Sequence, residues 1–218
     1  MCSGTRPNAK PENVGSNSIM TSQKFKESWT SAEFPLVPLT PCRLERFKLS
    51  KSSLEFLTQA GFPKYGGPDL SFVNDSDEKF EGISKVTEIY DLFDKTTDYE
   101  KYIVIGYCND GNIIAINTDK YDQLEELDHG DLFAPNFFNS SLNSLAAFLV
   151  LYRDFENSVL VDKDPDDGML FFNFTDSQFE TLRELMLQID ERAVMTEGFW
   201  KNELDGMLST REEYFRIH

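Results

Sequence analysis

Two apolar runs bracket a turn in the middle of the chain. Tyr102-Ile103-Val104-Ile105 ends at Gly106, Asn109-Asp110-Gly111 follows, and Ile113-Ile114-Ala115-Ile116 comes next. Asn, Asp and Gly tolerate the positive φ of tight turns, so the spacing predicts a β-hairpin. Further on, Leu142, Leu145, Leu149 and Tyr152 recur at helical spacing and predict a helix over residues 141–155. Asn139, Ser140 and Ser141 precede it, and each can accept from an unpaired first-turn N–H. Phe138 is placed to staple against an apolar residue of the first turns.

Around this centre the remaining pattern is read in order. Residues 1–22 are polar and rich in Ser, Asn, Pro and Gly, which predicts a disordered leader; Met20 is an alternative start. Residues 25–40 read as a short helix and then an extended arm, because Pro35, Pro38 and Pro41 disfavour a helix or a central strand. Ser50–Ala60 reads as a helix with Leu54, Leu57 and Ala60 inward and a capping box at Ser52 and Glu55. Gly61 and Pro63 end it. Leu70–Val73 is a strand, Asp75–Glu78 a turn, 83–93 an ambiguous stretch read as strand, and 96–100 a loop. Gln123–Asp128 is a strand followed by a turn through Asp131. Val159–Val161 and Met169–Phe174 read as strands flanking an acidic loop. Thr175 and Gln178 form a capping box for a helix faced by Phe179, Leu182, Met186, Ile189 and Ala193. Gly198 ends that helix, and Phe199, Trp200, Leu204, Met207 and Leu208 face another. Helices and strands mix without βαβ alternation, so the expected class is α+β with a mainly antiparallel sheet.

Composition adds an aromatic core and a strong charge asymmetry. The chain holds 19 Phe and has a formal net charge of −17. Residues 1–70 carry nine Lys/Arg against six Asp/Glu, a balance of +3, whereas residues 71–218 carry 12 against 32, a balance of −20. Such a body repels nucleic acid and anionic membrane and attracts a basic protein; acidity serving solubility alone is the plainer reading. No long apolar run or apolar leader is visible, so no membrane partner is expected. Three scattered cysteines fit neither a disulfide framework nor a zinc site, and suit a reducing cytoplasm.

Catalytic chemistry is sparse. His129 lies in an acidic turn and His218 is the last residue; neither stands near a nucleophile-elbow sequence. A Cys108–His129 pair is conceivable in space, but nothing in the sequence lowers the thiol pKa, and a buried thiol is the simpler reading. The run Asp162-Lys163-Asp164-Pro165-Asp166-Asp167-Gly168 starts like a calcium loop. It places Gly one position late, and Asn173 stands where a bidentate Glu is needed. The expectation is an acidic surface turn with no metal and no cofactor.

One resemblance is carried by structural residues. Ile105, Gly106, Gly111, Ile113 and Asn117 of the hairpin, then Phe138 to Leu142, then Phe148, Leu149, Leu151 and Tyr152, resemble the SUKH superfamily, most closely its fourth subgroup of immunity proteins. Leu54, Phe56, Leu57, Gly61, Phe62 and Pro63 resemble that subgroup's helix ending in G-L-P, with Phe62 in place of Leu. The resemblance spans about residues 47–156, so a single domain over 23–218 is expected, with 157–218 as a C-terminal strand–helix extension. It implies an α+β fold with a twisted sheet. It also implies a non-catalytic, cytoplasmic bacterial protein that neutralises a cognate polymorphic toxin, here a basic nuclease or deaminase domain. The acidic loops are the expected contacts: Asp75, Asp77, Glu78 and Glu81; Asp122, Glu125, Glu126, Asp128 and Asp131; and Asp162, Asp164, Asp166 and Asp167. The alternative is a protein-interaction hub, the role of SUKH relatives that regulate yeast cell-wall synthesis.

Overall fold

A computed structural model describes residues 19–90, 98–108, 110–160 and 173–217. Most of the expected leader, Asn109 of the hairpin turn, residues 91–97, and the acidic run from Asp162 with most of the strand expected at Met169–Phe174 lie outside the described residues.

The chain enters through α1 (Ser22–Ser28), capped by Thr21, whose hydroxyl accepts from Lys24 N–H at 3.2 Å. Residues 21 and 22, expected to close the leader, therefore open a helix. The extended arm becomes β1 (Leu36–Val37), paired with β2 (Phe62–Pro63). A short helix α2 (Pro41–Leu44) follows; Pro41 stands at its first turn, where the missing N–H costs nothing. Reading that proline as a bar to helix was wrong. In α3 (Lys51–Gln59) the cap is Ser50, which accepts from Ser53 N–H; the expected Ser52–Glu55 box is not the one used. Phe56, Leu57 and Ala60 are buried, and Leu54 is half-buried. Gly61 at φ +63° ends the helix as expected.

Among the described residues, seven strands form one antiparallel sheet. Its path runs β3 (Tyr65–Gly66), β4 (Leu70–Phe72), β6 (Tyr102–Cys108), β7 (Ile113–Asn117), β8 (Gln123–Asp128) and β9 (Ala134–Asn139). The seventh, β5 (Ser84–Lys85), also pairs β6, along Ile103–Val104, while β4 holds Gly106–Cys108. Between these, Ile105 bulges against β7. Gly106 follows because a Cβ there would stand 2.4 Å from Ser71 O of β4. The glycine of the hairpin thus lets two strands meet at a kinked position.

Three further elements depart from expectation. Among the described residues of the ambiguous stretch, only Ser84–Lys85 is strand; Val86–Ile89 is a helical turn, α4, with Glu88 accepting from Lys85 N–H at 3.0 Å. Ile83, Val86 and Ile89 are all buried, and their spacing by three fits that turn. β9 was not foreseen, because Pro135 and Asn136 spoil a strand pattern; it lies at the sheet edge, where a missing donor is tolerated. Helix α5 (Leu142–Leu160) runs through Val159 and Leu160, which were read as strand. Phe155 and Val159 extend the buried face by one turn, so burial overrides β propensity.

The last helices are α6 (Asp176–Met195) and α7 (Phe199–Ile217). The Thr175–Gln178 capping box forms as expected. Phe179, Leu182, Met186 and Ala193 are buried, but Ile189 is 39% exposed. Asp190, at φ −150° and ψ 76°, kinks α6 and turns its own side chain inward in place of Ile189. One connected hydrophobic interior includes Phe25, Val104, Leu149, Trp200 and Met207, so the C-terminal helices share the core of the sheet. The architecture is α+β, as the element pattern implied.

Candidate functional site

The acidic residues singled out by the sequence divide by burial. Glu125, 2% exposed, accepts from Tyr102 Oη at 2.9 Å, Asn117 Nδ2 at 2.8 Å, Gln123 Nε2 at 2.7 Å and Lys120 Nζ at 2.6 Å. Burial pushes this carboxyl up, but Lys120, Asn117 and Tyr102 together hold it below its ordinary value. Asp122 is buried and accepts from Ser50 N–H at 2.7 Å, tying α3 to the sheet. Asp75 accepts from Thr40 N–H and pairs with Arg43, which also binds the exposed Asp77 at 2.6 Å. Glu81 accepts from Asn74 Nδ2, Asp128 caps the turn His129–Asp131 through Gly130 N–H, and Glu78 and Asp131 are exposed. Asp162, Asp164, Asp166 and Asp167 lie outside the described residues.

Two clefts gather carboxylates that the sequence did not connect. One, of about 510 Å³, lies between the β6–β7 turn, β8, β9 and the start of α7. Asp110, Glu126, Asp128, Glu197 and Glu203 line it with Asn112, Asn136 and Asn202, and no Lys or Arg is among its described lining residues. Glu126 is 6% exposed. Burial pushes its carboxyl above the ordinary value; the Asn112 bond opposes this, and Asp110 and Asp128 add to it. Glu197 is paired with Lys201 at 3.1 Å.

The other cleft, of about 580 Å³, opens between the segment after α1, β3–β4 and α5. Asp69 and Glu156 line it beside Trp29, Phe34, Tyr65 and Arg153. Burial first, then Asp69 and Glu203, push the Glu156 carboxyl up to about 7. Glu203 is raised by burial and by Asp69, against a hydrogen bond from Tyr152 Oη at 2.8 Å. Asp69, Glu156, Glu203, Glu126 and Asp110 thus form a seam across both clefts. It comes from a strand-connecting turn, two helices, a strand and a hairpin turn, and no local spacing signals it.

The seam's chemistry is electrostatic. Cys108 Sγ and carboxylate oxygens of Asp110 and Glu126 lie within 4.8 Å of one another, the one grouping of that kind among the described residues. Asn112 Nδ2 already donates to Asp110 at 3.0 Å and to Glu126 at 2.9 Å, supplying the positive end of a dipole there. Burial pushes the Cys108 thiol up, and it donates to Glu126, so it stands as an unreactive buried thiol. His129 Nδ1 meets Asn112 Oδ1 at 2.8 Å, so the Cys108–His129 pair does not form. No helix among the described residues is long and apolar enough to cross a membrane.

The family motif is likewise explained by its contacts. Ser141 caps α5 by accepting from Ser144 N–H at 3.1 Å. Ser140 and Asn139 turn to Asp190 instead, and Asn139 also accepts from Trp200. Phe138 packs on Phe199 and Trp200, with ring centroids 5.1 and 5.7 Å apart.

Neither the curated proteins nor the solved structures give a match to the chain. The family model for SUKH-4 immunity proteins matches residues 23–206, so its span runs from α1 into the first turns of α7, well beyond the motifs that suggested it. A chain matched over that length belongs to the SUKH-4 immunity protein family.

Proposed function

We propose that this protein neutralises a cognate polymorphic toxin by binding a basic surface of the toxin, without catalysis, in the cytoplasm. The immunity role follows from the family. The carboxylate seam carries the finer reading. Several of its carboxyls sit above their ordinary pKa because they are buried beside one another, and a cationic partner would relieve that repulsion. A nuclease or deaminase domain, basic because it binds nucleic acid, has the matching surface. The exposed acids Asp77, Glu78, Glu81 and Asp131 add negative charge to the surface, and the acidic run from Asp162 to Asp167 adds to the net charge that would steer encounter. Asp75, Asp122 and Glu125 hold internal bonds, so they support the surface rather than present it.

The test is co-expression with the toxin domain encoded beside the gene. Protection is expected, with association slowed by added salt and by the combined variant Asp110→Asn, Glu126→Gln, Glu203→Gln. Association that ignores both salt and those substitutions would exclude the seam as the docking surface.

A further inference from the structure

We infer that the cleft between Trp29, Phe34, Tyr65 and α5 receives an arginine side chain of the toxin, with Asp69 and Glu156 as its counter-charges. This rests on the immunity reading above and names the group that the acidic surface takes hold of.

The cleft has the size of a side-chain site, about 580 Å³. Its outer wall is aromatic: Phe34 and Tyr65 meet edge to face at 5.5 Å, and Tyr65 is 47% exposed. Gly66 and Gly67 form part of the lining. A Cβ on Gly67 would stand 3.2 Å from Glu156 Oε1 and 2.8 Å from Tyr152 Cδ1, so the bare backbone gives the carboxylate its room.

Two acids in this cleft lack a cation. Among the described residues neither the Asp69 nor the Glu156 side chain makes a hydrogen bond or an ion pair, and the two repel each other and Glu203. Arg153 is the one cation among the described lining residues, and it is engaged elsewhere. It donates to Ser28 O at 2.9 Å and to Asp154 at 3.1 Å, and lies 5.1 Å over the Trp29 ring. Lys64 lies 5.6 Å over the Tyr65 ring.

Aromatic faces and carboxylates together select a planar cation. A guanidinium stacks on Trp, Tyr or Phe and donates in a fork to a carboxylate. An anion would be repelled, and a purely apolar group would leave two carboxylates desolvated without partners.

The probe is N-acetyl-arginine methylamide, titrated into the full chain while the two Trp indole N–H signals are followed by NMR. Trp29 lines the cleft; Trp200 is buried beside Phe138 and Phe148 and serves as the internal reference. A saturable shift of the Trp29 signal alone is expected. It should be about ten-fold weaker in Glu156→Gln and absent with the citrulline analogue, which has the same shape without the charge. Binding should also tighten from pH 6 to pH 8 as Glu156 ionises against Asp69, Glu203, Tyr152 and Arg153. Equal shifts from the citrulline probe, an unchanged affinity in Glu156→Gln, or no shift of Trp29 would each overturn the assignment. Because the titration contains no toxin, these outcomes leave the immunity reading to its own co-expression test.

Discussion

Trp200 Nε1 donates to Asn139 Oδ1 across 2.9 Å, with Trp200 1% and Asn139 0% exposed. The bond joins α7 to the last residue of β9. It explains why an Asn occupies a fully buried strand end, where an unpaired amide would be costly.

Trp200→Phe keeps most of the ring packing and removes the donor. The expected loss is about 1–3 kcal/mol, from leaving the Asn139 oxygen buried with no replacement. Trp200→Ala should lose about 3–5 kcal/mol by opening a cavity against Phe138 and Phe148. Urea unfolding reads both. If Trp200→Phe proves neutral, the bond is not a stabilising contact.

Asp190 accepts from Ser140 N–H at 2.7 Å, Ser140 Oγ at 2.9 Å and Asn139 Nδ2 at 3.4 Å. Asp190→Ala should therefore cost about 2–4 kcal/mol, since three donors lose a charged acceptor in a buried place. Its neighbour Ile189, which the apolar stripe had placed inward, should tolerate Ala at a loss of about 1 kcal/mol or less. Equal effects at the two positions would contradict the kink that exchanges them.

Glu156 makes stability depend on pH in the direction opposite to most carboxylates. Its folded pKa, about 7, exceeds the ordinary carboxyl value of 4.5. The folded state therefore holds the proton more tightly. That contribution is complete below about pH 4.5 and is lost as pH rises through about 7. Glu156→Gln should be more stable than the parent by about 1–3 kcal/mol at pH 8, with the gap closing toward pH 4. A gap that does not change with pH would place the effect in packing instead.

Glu125 has the reverse sign. Its folded pKa is lowered by Lys120, Asn117 and Tyr102 against burial, so its contribution is present above the ordinary carboxylate pKa and lost as pH falls. Glu125→Ala should cost about 2–4 kcal/mol at pH 7, with a smaller loss at pH 3. Comparing denaturation midpoints at those two pH values tests it; an equal loss at both would remove the charge from the account.

Local pattern was enough for much of this molecule. The hairpin of Tyr102 to Ile116, the helix begun by Leu142, the Gly61 stop and the Thr175–Gln178 cap depend on neighbours within a few residues, and each formed as its spacing required. The α+β class follows from the same periodicities. Other features were decided between distant segments. Val159 is helical because its side chain is buried at the end of α5, and β9 pairs as a strand despite Pro135 because it lies on an edge. Asp190 leaves the helical stripe because Ser140 and Asn139 offer it donors from 50 and 51 residues away.

The carboxylates divide in the same way. The sequence determined that residues 71–218 are acidic, because charge is a property of composition. Only the tertiary structure decided that Glu125 is clamped by donors while Asp69, Glu156 and Glu203 crowd one another. Whether a carboxylate becomes a strut or an unmet charge depends on which groups the fold brings within a hydrogen bond of it.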